Sequence, residues 1–110
     1  MAYDEDLAER IRELVGVERR VTEQKMFGGL AFLIGGHMAV AASGQGGLLV
    51  RVDPTESDRL VSTTKAQLME MGGRSMAGWL RIEAADVSVK RQLSKWVSMG
   101  VSYAKSLPPK

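Results

Sequence analysis

Few residues in this chain are of a type that does chemistry, and their spacing limits what each can do. One histidine, His37, stands beside Met38. A nucleophile–histidine–acid triad needs a matched nucleophile and an orienting acid, and no local motif marks either. Histidine with thioethers could hold a soft cation such as copper(I), with Met26, Met38, Met69, Met71, Met76 and Met99 as the available sulfurs. Only Met69 and Met71 form a Met-x-Met pair, and methionine is also flexible core filler, which accounts for these residues better. Cysteine is absent, so thiolate catalysis, disulfides and cysteine-based zinc or iron–sulfur centres are excluded.

The glycine pairs invite comparison with phosphate-binding loops. Met71-Gly72-Gly73-Arg74-Ser75 places an arginine and a serine after two glycines. It lacks the Gly-Lys-Ser/Thr ending that feeds a helix in a Walker A loop. Gly28-Gly29 precedes a strand pattern, whereas a dinucleotide fingerprint follows a strand and opens a helix. Tight turns and close backbone packing explain these glycines better. Glu9 and Glu13 lie one helical turn apart. Their surroundings are charged, without the apolar neighbours that separate the pKa values of an acid–base pair. No catalytic residue, cofactor or metal ligand is therefore expected.

Two tryptophans remain. Trp96 falls on an apolar helical stripe and reads as core. Trp79 shares a strand face with Arg81, a combination suited to a stacking platform or a protein interface. Around it the charge is uneven. Residues 1–20 carry six acids and four arginines, while residues 74–110 carry seven Lys or Arg against Glu83 and Asp86, although the whole chain is only +2. Trp79, Arg81, Arg74, Lys90, Arg91 and Lys95 are the candidate interaction surface. A basic third of this kind attracts acidic partners or nucleic acid when its charges share one face.

The elements that position these residues follow from periodicity. Asp4 suits a helix N-cap, with Glu5 and Asp6 in the first turn, and Leu7, Ile11, Leu14 and Val15 make one stripe, so a helix is predicted over residues 4–15, stopping at Gly16. Apolar runs broken by Gly35-Gly36 and Gly44–Gly47 predict three antiparallel strands between about residues 22 and 53. Asp53-Pro54 opens a short second helix ending near Thr63-Thr64. Gln67–Met71 and Gly78–Glu83 read as strands around a loop at Gly72-Gly73-Arg74-Ser75, with Trp79 and Arg81 alternating against Leu80 and Ile82. Val89, Leu93, Trp96, Val97, Gly100, Val101 and Ala104 form the stripe of a last helix, capped by Asp86 or Ser88 and ended by Leu107-Pro108-Pro109.

At 110 residues, 45% hydrophobic and 25% charged, the chain fits one globular domain spanning 1–110. The acidic start, Met1-Ala2-Tyr3-Asp4-Glu5-Asp6, predicts no signal peptide, and no apolar run is long enough to span a bilayer. A cytoplasmic location without membrane attachment is expected. The order α-β(3)-α-β(2)-α implies an α+β, two-layer α/β sandwich with a mainly antiparallel sheet.

Several segments carry a family likeness. Lys25-Met26-Phe27-Gly28-Gly29, Gly36-His37-Met38-Ala39-Val40 and Leu48-Leu49-Val50-Arg51-Val52 resemble the strand region of the TfoX/Sxy N-terminal domain family. Gly73-Arg74-Ser75-Met76-Ala77-Gly78-Trp79 is similar to that family's Gly-Arg-Pro-Met-x-Gly-Trp segment, with Ser75 where proline is usual. Trp96 and Tyr103-Ala104-Lys105-Ser106-Leu107-Pro108 resemble its closing helix and tail. The resemblance implies the same α-β(3)-α-β(2)-α domain and a link to regulators of DNA-uptake competence in bacteria. Those regulators act with transcription factors and carry a second domain, for which 110 residues leave no room. It brings no established catalytic residues.

Three functional expectations result. The first is a non-enzymatic regulatory domain that binds a protein partner or itself. The second is a nucleic-acid-binding accessory protein using Arg74, Arg81, Lys90, Arg91, Lys95 and Lys105. The third is a small-ligand or metal site around His37, Arg51 and Arg74.

Overall fold

Asp4 opens the first helix as predicted: its carboxylate accepts the Leu7 amide at 3.1 Å. The computed structural model describes residues 3–26 and 28–108. Its elements are α1 (Glu5–Val15), β1 (Val21–Met26), β2 (Gly29–Ile34), β3 (His37–Ala42), β4 (Leu48–Arg51), α2 (Ser57–Thr63), β5 (Gln67–Met71), β6 (Arg74–Ile82) and α3 (Lys90–Ser106). Short 3₁₀ turns, Pro54–Glu56 and Ala84–Val87, lead into α2 and α3. Phe27, and Pro109 of the predicted helix stop, lie outside the described residues.

All strands pair antiparallel in one sheet of order β1-β2-β3-β4-β6-β5. The α+β two-layer class is as expected, but the predicted three strands between residues 22 and 53 are four. The run Lys25–Ile34 is not one strand. Gly28, at φ 75°, reverses the chain so that Met26 pairs with Gly29. Gly29 is then pressed against β3, where an added Cβ would lie 2.1 Å from the Ala42 carbonyl oxygen. The strand escaped prediction because β1 is an edge strand whose residues Thr22–Lys25 are all exposed, leaving no apolar alternation to read.

Two further boundaries differ. Arg74 and Ser75 belong to β6, so the β5–β6 turn is only Gly72-Gly73, both at positive φ. The N-cap of α3 is Val89, without a side-chain cap. Asp86 instead faces Lys65 at 3.6 Å, and the Ser88 hydroxyl donates to the Ala85 carbonyl at 3.0 Å.

The main core lies between the sheet and the helices. Leu7, Ile11 and Val15 of α1, Leu60 of α2, and Leu93, Trp96, Val97, Val101 and Ala104 of α3 meet Phe32, Val40, Val50, Leu80 and Ile82 of the sheet. Phe32 is fully buried at its centre, and truncating such a residue to alanine costs about 3–5 kcal/mol. Gly100 sets the distance between layers. A Cβ there would lie 2.3 Å from the Ala39 carbonyl oxygen, so α3 packs with bare backbone on β3.

Candidate interaction face

Strand register sorts every sheet residue onto one of two faces. Glu23, Phe32, Val40, Val50, Leu80 and Leu68 are successive cross-strand partners on the helix side. The adjacent row, Gln24, Ala31, Ala41, Leu49, Arg81 and Gln67, points the other way. On that second face Ala31, Met38, Ala41 and Leu49 form a separate buried cluster, edged by half-buried Met26, Leu33, Met69 and Trp79. No helix residue belongs to it. This face therefore carries a second apolar cluster apart from the helices, its four central residues buried and its rim of Met26, Leu33, Met69 and Trp79 half-exposed among the described residues.

Trp79 reaches this face through a bulge. Leu68 pairs with Leu80 and Met69 with Met76, so Ala77, Gly78 and Trp79 oppose no residue of β5. Gly78 takes φ 86°, its amide donates to the buried Ser57 hydroxyl at 2.5 Å, and its carbonyl accepts the Val52 amide at 2.8 Å. These bonds hold Trp79 opposite Arg51 of β4.

Two arginines of the face differ in how they are held. Arg81 is a brace. Its Nη1 donates to Ser43 Oγ at 3.4 Å and Gln45 Oε1 at 3.0 Å, and its Nη2 to the Gln45 and Gly46 carbonyls at 3.2 Å each, tying β6 to the β3–β4 turn. Arg51 stacks instead. Its guanidinium carbon lies 5.4 Å from the Trp79 ring centre and 5.6 Å from that of Tyr103 on α3. Neither arginine is ion-paired to a carboxylate among the described residues. A cleft of about 560 Å³ opens beside Arg81, lined also by Ser43, Gln45, Leu49, Met69 and Glu70.

The predicted surface residues do not gather in one place. Trp79 and Arg81 share the open face, as their alternation predicts. Arg74, the register partner of Met71, falls on the same face, exposed beside the β5–β6 turn. Lys90, Arg91 and Lys95 are exposed on α3, the helix packed on the opposite face. Lys105 pairs with Glu18 at 3.1 Å. His37 sits at the start of β3, where Nε2 meets the Pro108 carbonyl at 2.6 Å while Nδ1 is buried without a partner among the described residues. Four clefts among the described residues are lined by none of His37, Arg51 and Arg74. Among the described residues no three His, Asp or Glu side chains converge as a metal ion requires. Sequence reasoning did not assign Met26, Leu33, Met69 or Arg51 to this face, nor place Tyr103 of the helix layer against Arg51. The alternation of Leu49 and Arg51 against Leu48 and Val50 carried part of that signal.

The fold and this face define an α+β two-layer domain with one helix-covered and one open sheet surface. The chain matches the TfoX N-terminal domain over residues 13–104 and belongs to that family. Comparison with curated proteins returns no match. No helix among the described residues is long and apolar enough to cross a membrane.

Proposed function

We propose that this chain is a non-enzymatic, cytoplasmic domain of competence-regulator type that works by docking a protein partner on the open face of its sheet. The observation that carries the reading is the second apolar cluster, Ala31, Met38, Ala41 and Leu49 with Met26, Leu33, Met69 and Trp79, to which no helix contributes. A contiguous apolar patch rimmed by polar groups is the usual mark of an interaction site, and aromatic and arginine side chains are the usual anchors within one. Family membership supports the regulatory context. The nucleic-acid reading has less support, because Arg81 and the cluster Lys90, Arg91 and Lys95 lie on opposite sides of the sheet.

The test is affinity capture from a lysate of the source organism with three baits: the wild type, the open-face variant Leu33→Asp, and the helix-face variant Lys90→Glu/Arg91→Glu/Lys95→Glu. A protein retained by the wild type and the helix-face variant but lost from Leu33→Asp is the expected result. Recovery that Leu33→Asp leaves unchanged, or that is lost only with the helix-face variant, would overturn the reading.

A further inference from the structure

The charge on the open face is of one sign. Its strand positions carry Arg51, Arg74 and Arg81 and no carboxylate, while Glu70 stands at the cleft rim without an ion pair among the described residues. Resting on the docking reading above, we propose that the occupant is an acidic, apolar segment of a different protein, with one of its carboxylates seated on Arg51.

Arg51, rather than Arg81, has donors to offer. Both terminal nitrogens of Arg81 are committed to neutral acceptors in the β3–β4 turn. Arg51 makes no side-chain hydrogen bond among the described residues, and two aromatic rings lie over its guanidinium. Contact with two rings restricts the rotation of the guanidinium, while its N–H donors remain without a hydrogen-bond partner among the described residues. A carboxylate meeting that edge forms two parallel charge-assisted bonds, and the entropy of orienting the arginine has already been spent. Apolar side chains flanking the acid would cover Met26, Leu33 and Met69. Five inter-strand spacings make the face about 24 Å across, the reach of an extended segment of about seven residues.

A second copy of the chain fits poorly. A two-fold face-to-face dimer would bring together two faces whose strand charges are all positive, and like charges across an interface are costly. Docking the acidic α1 of one copy on the open face of the next would be heterologous and would build rings or open-ended polymers rather than a dimer. Nucleic acid needs many phosphate contacts on one surface, and three arginines among methionines do not supply them.

The probe is a phage-displayed library of random short peptides panned against the intact wild-type protein, followed by fluorescence anisotropy of the best-enriched peptide. Enriched sequences should carry Asp or Glu beside Leu, Phe or Trp. Arg51→Gln should weaken binding about tenfold, and replacing the peptide's acid by its amide should weaken binding to the wild type by a similar factor. Applied together, the two changes should cost little more than one. The peptide change leaves the protein untouched, so a folding defect in Arg51→Gln cannot imitate the result. Enrichment of peptides without acids, or additive losses, overturns the acidic anchor, and the docking reading then stands if Leu33→Asp still abolishes binding. Failure to enrich any peptide, or binding indifferent to both Arg51→Gln and Leu33→Asp, removes both. Arg51-dependent binding of a labelled single-stranded oligonucleotide in place of peptide, or light scattering showing a dimer that Leu33→Asp dissolves, overturns the proposal in favour of those occupants.

Discussion

Arg51 and Trp79 are register partners on β4 and β6, with the guanidinium carbon 5.4 Å from the indole ring centre. The contact joins two residues 28 positions apart, and Tyr103 approaches the same guanidinium from α3. Ring currents should shift the Arg51 δ-methylene protons upfield in NMR spectra of the wild type. In Trp79→Leu these signals should move back toward ordinary arginine values, with a stability loss of about 0.5–1 kcal/mol in urea unfolding.

Gly100 holds the two layers at their observed distance. Gly100→Ala gains helix propensity of about 1 kcal/mol but drives a methyl into the Ala39 carbonyl oxygen, from which its Cβ would be 2.3 Å. The obstacle is backbone in the middle of a strand, so it does not swing aside. Equilibrium urea unfolding should show a net destabilisation of about 1–3 kcal/mol.

Ser57 is a buried polar residue whose hydroxyl accepts the Gly78 amide. Ser57→Ala leaves that amide in the bulge without an acceptor. The expected cost is about 1–3 kcal/mol. Because the bulge positions Trp79, faster hydrogen exchange at Gly78 and a change in Trp79 fluorescence should accompany the loss.

Arg12 of α1 reaches over the β1 edge to Glu23, at 2.6 and 2.8 Å. The hydrogen bonds from Arg12 hold the Glu23 carboxyl below the usual carboxylate range. A carboxyl whose folded pKa is depressed contributes stability above its unfolded pKa and loses it as pH falls through the folded value. Both side chains are more than one-third exposed, so solvent screening keeps the contribution small. A carbon-detected NMR titration should place the Glu23 midpoint below that of an ordinary glutamate, and Arg12→Gln should raise it. In Glu23→Gln a small part of the stability at neutral pH should be lost, with little change in acid, so the acid limb of the stability profile flattens slightly.

Sequence patterns of different range fared differently. Helix α3 and strand β6 were read well because each writes its periodicity in contiguous residues: the Leu93–Ala104 stripe faces the core, and Leu80 and Ile82 are buried while Trp79 and Arg81 are less so. Strand β1 was missed because an exposed edge needs no apolar period. The candidate surface was half read. Trp79 and Arg81 do share a face, but their grouping with Lys90, Arg91 and Lys95 came from proximity in the chain, and the sheet stands between the two sets.

By itself the sequence determined the α+β class, the family likeness, the absence of cysteine chemistry, and the helical and strand stripes that build the main core. These depend on residue type and short-range spacing, which local backbone geometry translates directly into faces. Only the tertiary structure decided that all three helices cover one side of the sheet, that Arg81 braces a turn, and that Arg51 meets both Trp79 and Tyr103. Those outcomes depend on strand register and layer packing between distant segments. Shifting a strand by one residue would exchange its two faces without altering any local pattern.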